Sequence, residues 1–126
     1  MSIESLCALF FEFSNEDRLR ILKRLQQDHM TVTALSRELD LTTQETSRHL
    51  ARLGETGLTK KNPNGTHSLT GYGELSLTQI EGFMFTSNHR AYFQTHDLTG
   101  IPPEFVSRIG ELGEARFIDD IMVIFH

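Results

Sequence analysis

The sequence is short of the features that mark several protein classes. Its single cysteine, Cys7, has no second thiol to pair with, so an intrachain disulfide is excluded and packing must hold the fold, as suits a reducing compartment. Cys7 itself is expected to pack rather than react. There is no run of eighteen apolar residues to cross a bilayer and no signal-peptide pattern at the start, which gives the expectation of a cytoplasmic protein without a membrane partner. A glycine-rich phosphate loop, a nucleophile beside a base and a metal-ligand cluster are all missing, so the expectation is a protein that is not an enzyme and needs no cofactor.

What is present suffices for one small domain plus an extension: 126 residues, 38% hydrophobic and 9% aromatic. The formal net charge is -5, but it is unevenly spread. From Ser14 to Thr70 nine Lys and Arg face seven Asp and Glu, whereas from Gly71 onward three face eight. A neutral to basic first half therefore carries an acidic second half.

The stretch from Leu41 to Leu58, LTTQETSRHLARLGETGL, carries the strongest signal. Thr42 and Glu45 have capping-box spacing, which predicts a helix beginning at Thr43 and running to Thr56. Thr46, Leu50 and Leu53 fall on one side at helical spacing, and Gly57 can turn left-handed at the end. Gln44, Ser47, Arg48, Ala51 and Arg52 remain for the opposite side. Arg can bond bidentately to guanine, Gln to adenine, and an alanine methyl can meet that of thymine, so this is a face suited to the major groove. An ordinary solvated surface helix is the plainer alternative.

The flanking segments supply a setting. Ser2 opens a first helix whose stripe, Ile3, Leu6, Cys7, Leu9, Phe10 and Phe13, calls for burial within the domain or against a second copy. Ser14, with Asp17 three residues on, predicts the cap of a second helix with Leu19, Ile21, Leu22 and Leu25 inside. Arg18, Arg20, Lys23 and Arg24 cover its remaining circumference, as candidate phosphate contacts or as a solvated surface. After a loop over Gln27 to Val32, Thr33 is read as the cap of a short helix with Leu35 and Leu39 inward. That helix, a turn through Asp40 and Leu41, and the Thr43 helix make a helix-turn-helix. Beyond Gly57, LTKK, the turn NPNG and THSLT read as strand, turn and strand. Lys60 and Lys61 on this wing would reach a phosphate or minor groove, or would guard an edge strand against aggregation.

The segment ETSRHLARLGETGL, followed by the glycine-containing turn and SLT, resembles the winged helix-turn-helix of ArsR-like transcriptional regulators over Ser14 to Tyr72. LFFEFSNEDRLRILKRL and NHRAYFQTHDLTGIPPEFVSRIGEL extend the likeness to archaeal regulators of the methanogenesis and filament-formation type. The resemblance implies a fold that is mainly α with a small β-wing, a winged helix-turn-helix with N-terminal and C-terminal helical extensions. It also implies sequence-specific binding of double-stranded DNA by a homodimer, with the second helix of the motif in the major groove and the wing, Leu58 to Thr70, on the backbone or minor groove. Carried over by position, Thr43, Gln44, Ser47, Arg48 and Arg52 would face DNA with Lys60 and Lys61, while His49 would lean toward the scaffold. The paired cysteines of the metal-sensing members are missing from Thr33 to Asp40, so thiolate metal sensing is not expected. The expected domains are 1–71, DNA-binding, and 72–126, a helical dimerisation segment that stops where the longer archaeal regulators begin an effector domain.

In that second segment Tyr72, Leu75, Ile80, Phe83 and Met84, then Tyr92 and Phe93, predict one long or two consecutive helices with a buried stripe. His89, His96 and Asp97 lie near one another in sequence, but two helical turns separate the histidines by about 10 Å, so capping, packing or surface roles are expected in place of a metal site. Pro102 and Pro103 predict an extended entry to a helix beginning near Pro103 with Phe105, Ile109 and Leu112 inward. The apolar run Phe117 to Phe125 is expected to be buried. A winged-helix protein-interaction module without sequence-specific DNA binding is the alternative function, and the net acidity is what favours it.

Overall fold

Ser2, Asn15, Thr31 and Thr42 each accept a hydrogen bond from the amide three residues on, at 3.1, 2.9, 3.2 and 3.0 Å. These four caps set the starts of α1 (Ile3–Phe13), α2 (Glu16–Leu25), α3 (Val32–Leu39) and α4 (Thr43–Glu55), and each contributes about 1 kcal/mol. The chain continues through β1 (Thr59–Lys61), β2 (His67–Leu69), α5 (Gly71–Asn88), α6 (Arg90–Thr95) and α7 (Pro103–Ser107). This computed structural model describes residues 2–108. Ile109, Leu112 and the run Phe117 to Phe125 lie outside the described residues. The predicted fold class holds: helices predominate and a two-stranded antiparallel sheet forms the wing.

Two expected helix starts move. Ser14 does not cap α2; its hydroxyl donates to the Phe11 carbonyl at 2.6 Å and closes α1, so the cap passes to Asn15. Thr33 lies inside the first turn of α3, and Thr31 is its cap. Extended pairing of Met30 with His67, through hydrogen bonds of 3.1 and 2.7 Å, ends at Met30 and forces the helix to start directly afterwards.

The described contacts divide the chain into two compact units, Met1–Leu75 and Ser76–His126, with α5 running from the first into the second. In the first, Ile21, Leu22 and Leu25 of α2 are buried together with Leu35 of α3, Leu50 and Leu53 of α4, and Met30 and Leu58 from the connections. Asp40 ends α3 in the left-handed region at φ 56°, a conformation Asp tolerates better than most residues. Ser36 Oγ and Thr46 Oγ1 are 2.9 Å apart in the interior. This hydroxyl pair ties α3 to α4.

The second unit surrounds Phe85 and Ile101, with Tyr92, Phe93, Phe105 and Val106 packed on them. Two consecutive helices, α5 and α6, cover 71–95 as expected, and Pro102 leads into α7. The stripe expected on α5 is offset. Tyr72, Leu75 and Phe83 are exposed, whereas Ser76, Leu77 and Phe85 are buried. Nδ1 of His89 and of His96 lies 2.9 and 3.0 Å from the carbonyl one turn earlier, Phe85 and Tyr92 respectively, so both rings serve the helix. The Asp97 carboxyl, accepting from the Thr99 amide, is held below its ordinary pKa chiefly by that bond. Among the described residues no three His, Cys, Asp or Glu side chains come together to hold a metal ion, and no helix is long and apolar enough to cross a membrane.

Candidate nucleic-acid interface

Burial of Thr46, Leu50 and Leu53 against α2 and α3 turns the other side of α4 outward. Thr43, Gln44, Ser47, Arg48, Ala51 and Arg52 are all exposed, and His49 is half-buried. Gly57, at φ 82°, then reverses the chain into the wing, a conformation that a β-carbon would strain.

Register in the wing pairs Thr59 with Leu69, Lys60 with Ser68 and Lys61 with His67. Its turn is closed by Gly65 N donating to the Asn62 carbonyl at 3.0 Å, while Asn62 Nδ2 reaches Thr66 Oγ1 at 3.1 Å and Ser68 Oγ at 3.2 Å. The bridge from His67 to Met30 adds an outer rung and anchors the wing to the segment before α3. Between α4 and the wing lies a groove of about 360 Å³, lined by Ser47, Ala51 and Gly54 on one side and by Thr59, Lys60, Lys61 and His67 on the other. Burial, then the nearby Lys61 charge, push the His67 pKa down from its ordinary 6.5. At neutral pH the cations of this groove are therefore the two lysines. Thr59 Oγ1, buried in its wall, has no hydrogen-bond partner among the described residues.

The structure thus brings Ser47, Lys60 and Lys61 to one groove, with Thr43, Gln44 and Arg48 exposed along the same helix. None of the ion pairs among the described residues involves Arg48, Lys60 or Lys61. Arg52 stands differently. Its Nε donates to both carboxylate oxygens of Glu12, at 3.0 and 3.2 Å, and its guanidinium lies 5.0 Å from the Phe11 ring centroid. That bond raises the Arg52 pKa above its ordinary value.

The arginines of α2 are also committed. Arg18 is buried, with Nε and Nη2 each 2.9 Å from the carbonyls of Glu12 and Phe11. Arg20 donates to the Leu39 carbonyl at 2.9 Å, and Arg24 pairs with Glu38 and Asp28. These three arginines tie α2 to the end of α1 and to α3. Glu12, Ser36 and Thr59 were not singled out by sequence reasoning, and only the pairing of distant segments reveals them.

Comparison with known proteins agrees with this geometry. Residues 13–61 match the helix-turn-helix domain family. The fold is a winged helix-turn-helix. Among solved structures the chain is similar to HlyU from Vibrio cholerae, at 28% identity and a TM-score of 0.54, over 73% of this chain and 98% of that one. A variant of ZitR from Lactococcus lactis matches at 15% identity and a TM-score of 0.49, over 89% of this chain and 75% of that one. IdeR from T. acidophilum matches at 19% and 0.49, over 89% and 54%. No curated protein matches the sequence.

Proposed function

We propose that the chain is a sequence-specific DNA-binding transcription regulator, ArsR-like and of the archaeal type its sequence resembles, acting as a cytoplasmic homodimer. The observation that carries this reading is the exposed strip Thr43, Gln44, Ser47 and Arg48 on the capped second helix of the motif, beside a groove edged by Lys60 and Lys61. Helix α4 enters the major groove, and its Arg and Gln meet base edges while the wing lysines meet phosphates. The helix-turn-helix match over 13–61 supports the same reading. For the dimer, support comes from α1: Ile3 is 80% exposed and Leu6 49%, apolar area that a second copy would cover. The net charge of -5 favours a second reading, a winged-helix module that grips a protein partner.

Two substitutions separate these. Arg48→Ala is expected to weaken binding to the specific site by about 1 to 3 kcal/mol while scarcely altering binding to scrambled duplex. Lys61→Ala is expected to weaken both alike and to lower the salt slope by roughly one unit. Equilibrium titrations in which both variants bound both duplexes as the parent does would overturn the DNA-reading assignment.

A further inference from the structure

Glu12 lies in the last turn of α1 and is only 5% exposed. Its carboxylate meets two cations, Arg18 Nε at 3.6 Å and Arg52 Nε at 3.0 Å. The two guanidiniums also lie 5.6 and 5.0 Å from the centroid of the Phe11 ring. A carboxylate at this depth is costly to bury unless cations are held against it.

Its two partners are unequal. Arg18 is buried and bound to two backbone carbonyls, so it is fixed to the end of α1. Arg52 has a side chain 44% exposed and no partner oxygen other than the Glu12 carboxylate among the hydrogen bonds of the described residues. It stands one helical turn after Arg48 on the outward side of α4. A neighbouring phosphate could take it; the buried acid holds it instead.

Resting on the DNA-binding reading, we propose that Glu12 is a positioning residue that withholds Arg52 from nucleic acid, so that α4 presents Arg48 as its one arginine to the duplex. Phosphate attraction is blind to sequence. The carboxylate on α1 removes one such attraction from the reading helix and leaves the base-reading groups in place. A consequence is that α1, carrying the apolar surface assigned above to the dimer, is joined by a charged link to the helix that reads DNA.

Salt titrations of the full chain on its selected duplex and on a scrambled one test this, with Arg52→Ala, Glu12→Gln and the double substitution alongside the parent. Arg52→Ala is expected to leave the salt slope where the parent has it. Glu12→Gln is expected to free Arg52 and steepen the slope by about 0.9 on both duplexes, the value for one added phosphate contact. The double substitution should restore the parent slope. A slope flattened by about that amount in Arg52→Ala, or unchanged in a folded Glu12→Gln, would overturn the proposal. Should Glu12→Gln fail to fold, the Arg52→Ala slope alone decides. A parent that binds no duplex at all removes the DNA reading and this inference together, whereas a parent that binds while the variants disobey removes only the inference.

Discussion

Replacing Gly73 by alanine is expected to cost at least about 3 kcal/mol of folding stability, at the upper end of overpacking effects. A β-carbon there would lie 2.0 Å from the Leu58 carbonyl oxygen and 2.9 Å from its carbon. Backbone on both sides leaves no flexible side chain to yield. That same carbonyl accepts from the Thr70 amide at 3.1 Å, and the Thr70 hydroxyl accepts from Gly73 N at 3.0 Å while donating to the Gly57 carbonyl. Separating Gly73 from Leu58 therefore pulls at the bonds joining the end of the wing to the start of α5. Gly71, two residues earlier in the same turn, has nothing among the described residues within 4 Å of the equivalent position. Gly71→Ala is expected to be neutral or to stabilise by up to about 1 kcal/mol. Urea denaturation of the pair checks both, and a Gly73→Ala midpoint equal to the parent's would refute the close approach.

Arg18→Met is the second large effect, expected near 3 kcal/mol, the lower end of what breaking a buried ion pair costs. Methionine keeps much of the apolar stem but none of the donors. Glu12 would lose one of its two cations and its carbonyl a side-chain donor, while the Phe11 carbonyl would be left with Ser14. Arg52 still faces the acid, which is why the lower end applies. By contrast Arg20, paired with Asp17 at 3.3 Å with side chains 41% and 35% exposed, should matter far less through that ion pair, since exposed pairs contribute little. A thermal or urea unfolding series gives the comparison. An Arg18→Met variant within about 0.5 kcal/mol of the parent would show that the buried network is not what closes α1 onto α2.

The parts of the fold that were legible in the sequence are those decided within one or two helical turns. Thr42 and Glu45 mark the start of α4, and Thr46, Leu50 and Leu53 mark its buried side, because cap and periodicity are both local signals. The wing was legible for the same reason: its turn residues lie between two short runs. Where two residues able to cap stand close together, as with Ser14 and Asn15 or Thr31 and Thr33, local spacing does not choose. The choice came from the Phe11 carbonyl in one case and from the Met30 pairing with His67 in the other.

Charge was the least legible feature of the candidate site. Arg18, Arg20, Arg24 and Arg52 look alike in sequence, as cations on the outer sides of helices. What separates them is the arrival of Glu12, the Leu39 carbonyl and Glu38 from segments 6 to 40 residues away. Among the described residues Arg48 meets no such group, and so its exposure matches the sequence expectation. The α5 stripe was misplaced because a helix belonging to two units need not keep one buried face along its length.

Selection of genomic DNA fragments by the purified full chain, followed by titration of the enriched site over a range of salt, tests the central claim most directly. The expected result is enrichment of a common sequence built of two inverted half-sites about 34 Å apart, one helical turn, as a two-fold dimer of reading helices requires. Its affinity should exceed that for scrambled duplex by a factor of roughly 10³ or more and fall linearly on a logarithmic salt scale. Recovery of fragments with no shared sequence, bound no better than scrambled duplex at any salt concentration, would contradict sequence-specific reading by α4.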